Sequence, residues 1–117
     1  MEFLPLYKAS FQNEGAVEKA FIEVENINGP LLLISSGDDQ VWPSKKMYEM
    51  IIERLNSHNF KFKVKHLSYE CAGHLAGRPG YMSWPVPFYV KGGTPQINGQ
   101  TQVKVWKAIL NFLEELK

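Results

Sequence analysis

The middle of the chain carries three different patterns of hydrophobic and polar positions in succession. The segment 31–35 is short and almost wholly apolar. This pattern predicts a strand that is buried on both faces, as parallel strands usually are. From residue 44 to residue 59 apolar side chains recur every three or four positions, which predicts an amphipathic helix with Ser44 as its N-cap. Residues 60–69 alternate apolar and polar positions, which predicts a second strand with a half-exposed start. Strand, helix and strand in this order form a βαβ unit with parallel strands.

Two further helical patterns flank this unit. Residues 14–24 carry Val17, Ala20, Phe21 and Val24 at helical spacing, which predicts a short amphipathic helix. Near the end of the chain, Asn98 is a good N-cap for a final helix. One face of that helix is expected to carry Val105, Ile109, Phe112 and Leu116, with Trp106, Leu110 and Leu113 beside it. So broad an apolar stripe predicts packing onto a sheet.

The segment between the second strand and the final helix has no period. Residues 76–97 combine prolines and glycines with aromatic side chains, which predicts a long loop. Loops this long in compact domains are usually functional or disordered. Its aromatic residues would line an acyl or CoA channel or, as the simpler interpretation, pack the loop onto the body of the domain; they are Tyr81, Trp84, Phe88 and Tyr89.

These patterns predict a single partial α/β domain. It is divided into a helical lead-in over residues 1–29, the βαβ unit over 30–75, the long loop over 76–97 and the C-terminal helix over 98–117. A parallel strand pair with this much apolar surface normally has neighbouring strands and covering helices. We therefore expect this chain to be the later part of a larger α/β domain whose beginning is missing.

Composition narrows the choice of partners and compartment. The chain has 117 residues, of which 44% are hydrophobic and 21% charged, as in a soluble globular domain. A net charge of +1 argues against a nucleic-acid or anionic-membrane partner. Residues 30–34 are the longest apolar run and are too short to span a bilayer, and the first residues do not begin a signal peptide. The single cysteine fits a reducing compartment, so we expect a cytoplasmic protein.

Acidic side chains follow the first predicted strand, and a histidine follows the second. Asp38 and Asp39 come after residues 31–35, and His74 comes after residues 60–69. Loops at the carboxyl ends of parallel strands meet at one edge of the sheet. In α/β-hydrolases, the acid and the histidine of a nucleophile–acid–histidine triad occupy such loops in this chain order. A carboxylate there would fix the histidine tautomer and leave the other ring nitrogen free to act as a base.

A simpler interpretation of these loops remains open. The two acids could form a turn with an N-capping role for the next helix, and His74 could be an ordinary loop histidine. Spacing alone does not decide between the interpretations, and it does not decide which of Asp38 and Asp39 would face His74.

A nucleophile is harder to find. No serine or cysteine has the Gly-x-Ser-x-Gly setting that exposes a nucleophile on a strained turn. Cys71 lies three residues before His74 and is better interpreted as a small residue packed at the strand end. The serines near the first strand are expected to end that strand or cap the helix; they are Ser35, Ser36 and Ser44.

Metal and phosphate sites are also not expected. The three histidines, His58, His66 and His74, are eight residues apart, which matches no usual metal-ligand spacing. The segment Gly92-Gly93-Thr94-Pro95 lacks the Lys-Ser/Thr ending of a phosphate-binding loop and is better interpreted as a turn. We therefore predict no metal and no cofactor.

Several short segments together resemble one known family. Residues 22–116 are similar to the C-terminal part of the acyl-CoA thioester hydrolase and bile acid-CoA:amino acid N-acyltransferase family. The resemblance is carried by Ile22-Glu23-Val24-Glu25, Gly29-Pro30, Ser36-Gly37-Asp38-Asp39-Gln40-Val41-Trp42-Pro43-Ser44, Leu67-Ser68-Tyr69, Ala72-Gly73-His74-Leu75 and Gly92-Gly93-Thr94-Pro95.

The resemblance implies a fold, a substrate and residue roles. It implies the C-terminal portion of an α/β-hydrolase fold, a place in lipid metabolism, and a Ser or Cys nucleophile that cleaves acyl-CoA thioesters or transfers the acyl group to an amine. Asp39 matches the triad acid and His74 the general base, and Asp38 then resembles a supporting turn residue. Residues 76–81 depart from the Pro-Pro-Tyr stretch that relatives tend to have at this point. The family's nucleophile lies upstream of the matched segments, so we expect this chain to be inactive alone.

Two other functions remain open at this stage. The chain could be a non-catalytic module that forms a homodimer through an exposed sheet edge, along residues 31–35 or 64–68. It could also be the C-terminal half of another α/β-hydrolase, either dienelactone-hydrolase-like or peptidase-like.

Overall fold

A computed structural model describes residues 3–78 and 92–117. The described chain is of the α/β class, with four α-helices, one short 3-10 helix and two strands. In chain order the elements are α1 (Phe3–Ser10), α2 (Glu14–Ala20), the 3-10 helix (Val24–Asn26), β1 (Leu31–Ser36), α3 (Ser44–Ser57), β2 (Val64–Tyr69) and α4 (Pro95–Glu114).

The two strands form a small parallel sheet. Leu31 lies opposite Val64 at one end of the ladder and Ser36 lies opposite Tyr69 at the other. The helix α3 connects the strands, so the predicted parallel βαβ arrangement is confirmed. Both strands end at the same edge of the sheet, and the loops that follow them therefore start side by side.

Burial along β1 differs from the prediction of a strand buried on both faces. Leu33, Ser35 and Ser36 are buried, whereas the other three residues are only half-buried. Within the described residues, β1 is hydrogen-bonded to β2 alone. The buried apolar side chains come from β1, α3, α4 and the loop after β2: Leu33, Leu55, Ala72, Ala76, Val105 and Phe112.

The helix α3 begins at the predicted residue but is not capped as predicted. Ser44 is the first helical residue, and its Oγ donates to the carbonyl oxygen of Ser36 (3.0 Å) and accepts from the N–H of Ser36 (3.2 Å). The prediction of Ser44 as N-cap is therefore wrong, because its hydroxyl ties the helix to the end of β1. Asn59 adopts a left-handed conformation (φ 53°) just after the helix, where asparagine is well tolerated.

The helix α2 and the strand β2 are both shorter than their patterns predicted. The helix α2 ends at Ala20, because Phe21 is extended (φ −68°, ψ 129°) and Val24 belongs to the 3-10 helix. The strand β2 begins at Val64, so the half-exposed start predicted from residue 60 precedes the sheet. Boundary shifts of this size are common when only local patterns are used.

The helix α4 begins at Pro95, and its N-cap lies four residues before the predicted one. Thr94 is its N-cap, with Oγ1 accepting from the N–H of Ile97 (3.2 Å), and Pro95 occupies the first turn, where its missing N–H costs nothing. The prediction of Asn98 as N-cap is therefore wrong. Of the predicted inner face, Val105 and Phe112 are buried, but Leu116 is half-exposed.

Part of the predicted long loop lies outside the described residues, including its aromatic cluster and residues 79–81 of the segment that departs from relatives. None of the helices within residues 3–78 and 92–117 has the length and apolarity needed to cross a membrane.

Candidate active site

The loops that follow β1 and β2 are bonded to each other beyond the sheet. The N–H of Gly37 donates to the carbonyl oxygen of Tyr69 (2.9 Å), and the N–H of Asp38 donates to that of Ala72 (3.0 Å). A Cβ atom on Gly37 would lie 2.5 Å from the carbonyl oxygen of Glu70. Only glycine allows the two backbones to approach this closely. The acid loop (residues 37–42) and the histidine loop (residues 70–78) are therefore held at a fixed spacing.

This spacing brings Asp39 and His74 together. The Nδ1 atom of His74 lies 3.1 Å from both carboxylate oxygens of Asp39. The Asp39 side chain is only 3% exposed and that of His74 16%. With the Nδ1 proton donated to the carboxylate, Nε2 carries the lone pair and can accept a proton from a reacting group.

The Asp39 carboxylate is also held by its own loop. Its Oδ1 accepts hydrogen bonds from the N–H groups of Val41 (2.9 Å) and Trp42 (3.1 Å). This is the local turn that the simpler interpretation of the sequence proposed. The carboxylate thus forms the predicted turn and also contacts the imidazole, but it does not cap α3, whose N-terminus has no side-chain cap.

Asp38 has a different set of partners. Its Oδ2 accepts from the N–H of Gly93 (2.7 Å) and its Oδ1 accepts from the side-chain amide of Gln40 (2.7 Å). Both donors, the N–H of Gly93 first, lower the pKa of Asp38 because they stabilise the carboxylate. Asp38 therefore anchors a distant segment, and Asp39 is the acid that contacts His74.

A glycine turn packs against both loops. Gly92 and Gly93 have positive φ angles of 93° and 65°, a conformation that glycine adopts without strain. A Cβ atom on Gly92 would lie 1.6 Å from the carbonyl oxygen of Asp38, and one on Gly73 would lie 1.9 Å from that of Gly92. The segment interpreted as a turn from sequence thus fits between the acid loop and the histidine loop.

Asn98 is a buried polar residue that the sequence analysis assigned to a different role. Its Oδ1 accepts from the N–H of Gly73 (2.8 Å), and its Nδ2 donates to the carbonyl oxygen of Gly92 (3.1 Å). The side chain fixes the backbone one residue before His74. A sequence signal existed, because Asn98 lies seven residues before Val105 and therefore on the inner face of α4.

A cavity of about 230 Å³ opens in front of Asp39 and His74. The indole ring of Trp42 meets the imidazole edge-on, with centroids 4.6 Å apart and planes at 81°. Other lining residues come from β1, α3 and the histidine loop: Ile34, Ser36, Ser44, Tyr48, Gly77 and Arg78. The site therefore combines an imidazole, a carboxylate in contact with its Nδ1 atom and a cavity beside them.

The remaining candidates from the sequence lie elsewhere or have other partners. Ser35 Oγ is hydrogen-bonded to Nε2 of His66 (2.8 Å), and Ser44 is bonded to the β1 backbone. Cys71 is exposed. His58 lies beside Arg54 at the far end of α3. In the part of the chain that the structure describes, no cluster of three or more His, Cys, Asp or Glu side chains could hold a metal ion.

Comparison with known proteins places this geometry in context. The family model described as "BAAT / Acyl-CoA thioester hydrolase C terminal" matches residues 4–116. No curated protein matches the chain significantly. The family match includes both loops, the glycine turn and α4, so it covers every described part of the site.

Proposed function

Because this chain belongs to the BAAT / acyl-CoA thioester hydrolase C-terminal family, we propose that it supplies the acid and the base of a catalytic triad for acyl-CoA thioester cleavage. The observation that supports this most directly is the buried contact between Asp39 and Nδ1 of His74. In this proposal the α/β chain is the C-terminal portion of an α/β-hydrolase fold, which places an acid and a histidine after neighbouring parallel strands in this order.

The proposed reaction uses a covalent acyl-enzyme. A Ser or Cys nucleophile attacks the thioester carbonyl while Nε2 of His74 takes its proton, and Asp39 stabilises the resulting imidazolium. The tetrahedral intermediate collapses, the C–S bond breaks, and His74 returns the proton to the departing CoA sulfur. Water or an amine then attacks the acyl-enzyme, with His74 again as base, and releases the acid or the amide.

In this proposal, none of the residues of this chain is the nucleophile, and another polypeptide segment supplies it. The sequence contains neither Gly-x-Ser-x-Gly nor Gly-x-Cys-x-Gly. Ser35 and Ser44 already use their hydroxyls in hydrogen bonds within the βαβ unit. The isolated chain is therefore expected to show no saturable thioester hydrolysis.

A domain graft tests the assignment. Residues 4–116 replace the matching C-terminal part of an active family member, and hydrolysis of palmitoyl-CoA is measured by release of free CoA thiol. In an active graft, His74→Gln and Asp39→Asn should each lower turnover by on the order of 10⁴. His58→Gln is the matched control, since this exposed histidine lies away from the site, and it should leave turnover unchanged.

Two results would count against the proposal. An active graft that keeps its turnover after His74→Gln would remove His74 from the chemistry. Saturable palmitoyl-CoA hydrolysis by the isolated chain, abolished by His74→Ala, would show that the chain contains its own nucleophile.

A further inference from the structure

Trp42 contacts both residues of the candidate active site. Its backbone N–H donates to Oδ1 of Asp39 (3.1 Å), and its indole ring meets the imidazole of His74 edge-on, with centroids 4.6 Å apart and planes at 81°. The same carboxylate oxygen lies 3.1 Å from Nδ1 of His74. The carboxylate, the imidazole and Trp42 are therefore linked pairwise by three contacts.

The hydrogen bond to Asp39 does not by itself fix the ring of His74. The torsion that joins a histidine ring to its Cβ atom has broad energy wells rather than sharp rotamers. A bond at Nδ1 alone leaves the imidazole able to rock about this torsion, which moves Nε2 on the other side of the ring. The indole of Trp42 is a second contact, and perpendicular aromatic pairs at this separation attract each other. The two contacts together restrict where Nε2 can lie.

Trp42 is itself held in place. Its N–H is bonded to Asp39, and the proline that follows it narrows its backbone conformations. The ring of Tyr7, from α1, meets the indole edge-on, with centroids 6.0 Å apart and planes at 88°. The Trp42 side chain is nevertheless 39% exposed, so packing in the core does not account for this arrangement.

We propose that Trp42 is a positioning residue for the proposed base. Its N–H holds the Asp39 carboxylate, and its indole holds the His74 imidazole against that carboxylate, with Tyr7 supporting the indole. This inference rests on the proposed function, which makes Nε2 of His74 the reacting atom. It also gives α1 a role, because this helix has no buried residue and contacts the site through Tyr7.

Exchange of the His74 ring N–H with water tests this role in the full chain, without any need for catalysis. Isotopic labelling of the histidine nitrogens makes the Nδ1–H resonance visible by NMR, and its absence in His74→Gln assigns it. Trp42→Leu keeps an apolar side chain and removes the aromatic contact. Exchange should become faster by about two- to tenfold, the fold-change that corresponds to the typical strength of an aromatic pair.

Matched variants separate the aromatic contact from other effects. Trp42→Phe keeps a ring beside the imidazole, so exchange should stay close to that of the unchanged protein. Trp106→Leu removes an indole of similar exposure (49%) from α4 and should have no effect. Tyr7→Leu should speed exchange, whereas Tyr7→Phe should not, because only the former removes the supporting ring. Circular dichroism confirms that the variants compared are folded.

Kinetics of the active domain graft give a second readout. Trp42→Leu should lower kcat by up to about 100-fold, because a misplaced catalytic group reacts poorly. The KM for palmitoyl-CoA should change little, since the indole acts through His74 rather than on the substrate. Trp42→Phe should restore most of the lost kcat.

Three results would overturn the inference. One is unchanged exchange of the His74 ring N–H in a folded Trp42→Leu variant. Another is a KM that rises in Trp42→Leu while kcat stays the same, since Trp42 would then bind substrate. A third is equally fast exchange in Trp106→Leu, which would indicate a general loosening of the fold.

The outcome is separable from that of the proposed function. If His74→Gln leaves the graft active while Trp42→Leu speeds exchange in the full chain, the triad assignment fails and the contact of Trp42 with the imidazole stands. If His74→Gln inactivates the graft while Trp42→Leu leaves exchange and kcat unchanged, the proposed function stands and the positioning role fails.

Discussion

At the scale of single residues, the site depends on which backbone groups its polar side chains reach. Asp38 and Asp39 are adjacent, so their spacing alone did not show which of them contacts His74. The family resemblance pointed to Asp39, and the structure places Asp39 against His74 while Asp38 accepts from Gly93, fifty-five positions further along the chain. A contact at that separation depends on the tertiary fold, so neither propensity nor spacing could reveal it.

Asn98 is expected to contribute to stability through its hydrogen bond to the histidine loop. Asn98→Ala leaves the buried N–H of Gly73 without an acceptor, which typically costs about 1–3 kcal/mol. The free energy of unfolding, measured by urea denaturation, should fall by about this amount. Amide hydrogen exchange at Gly73 should become faster, because its protecting bond is gone.

Gln100→Ala is the matched control for Asn98→Ala. Gln100 lies on the same helix and is exposed, so its replacement should change the free energy of unfolding by no more than about 0.5 kcal/mol. Equal effects of the two substitutions would mean that Asn98 contributes through helix propensity rather than through the Gly73 bond.

At the scale of helices and strands, the predicted N-caps of α3 and α4 were wrong because both side chains form hydrogen bonds with distant parts of the chain instead. Ser44 and Asn98 are both good N-caps by residue type. Ser44 instead bonds the backbone of β1, and Asn98 bonds the glycine turn and the histidine loop. The existence of α2, α3, α4 and both strands was predicted correctly, because their hydrophobic periods reflect which face is buried, whereas α1 and the 3-10 helix were not predicted as separate elements.

The connection between α3 and the 3-10 helix is an ion pair. Arg54 Nε donates to Glu25 Oε2 (2.6 Å), and a second guanidinium N–H donates to Oε1. The guanidinium also lies over the ring of Phe21, 5.1 Å from its centroid. These hydrogen bonds to Arg54, more than the nearby His58 (3.6 Å), lower the pKa of Glu25 from 4.5 to about 2.

The pH dependence of stability should reveal this pair. Because the folded state lowers the pKa of Glu25, the pair stabilises the fold fully above pH 4.5, and this contribution is lost as the pH falls towards about 2. Glu25→Gln should therefore lower the free energy of unfolding at neutral pH, and the difference from the unchanged protein should shrink to nothing near pH 2. Urea denaturation at a series of pH values measures both curves.

Glu53→Gln serves as the control for this pH series, since Glu53 is an exposed acid next to Arg54 on α3. Its curve should follow that of the unchanged protein. A Glu25→Gln curve that also follows the unchanged protein at every pH would contradict a stabilising role for the ion pair.

At the scale of the whole molecule, much apolar surface is left uncovered by the described residues. The outer face of α4 carries Val103, Trp106, Leu110 and Leu113, each about half exposed. Their spacing of three and four residues makes a continuous stripe along the helix. From the sequence we expect Trp106, Leu110 and Leu113 to belong to the stripe that packs onto a sheet, but the two-stranded sheet of the described residues leaves them about half exposed.

We therefore expect the isolated chain to self-associate through this stripe, since contiguous apolar patches on soluble proteins usually mark interfaces. Sedimentation velocity should show a monomer–dimer equilibrium that depends on concentration. Leu110→Lys should shift it towards monomer, because dimerisation would bury the new charge. Lys107→Gln alters a charged position on the same helix and should have little effect.

A monomer at every concentration would contradict this expectation. A dimer that Leu110→Lys leaves unchanged would instead favour the exposed sheet edge that the sequence analysis proposed.

The sequence by itself determined the α/β class, the parallel βαβ unit, the final helix and the family. These follow from hydrophobic period and from short segments of fixed spacing, which are properties of neighbouring residues. The tertiary structure alone showed that Asp39 contacts His74, that Asn98 and the glycine turn hold both loops, and that a cavity opens in front of Asp39 and His74. Each of these depends on backbone atoms or side chains from distant parts of the chain. Local sequence patterns do not indicate which distant groups come into contact.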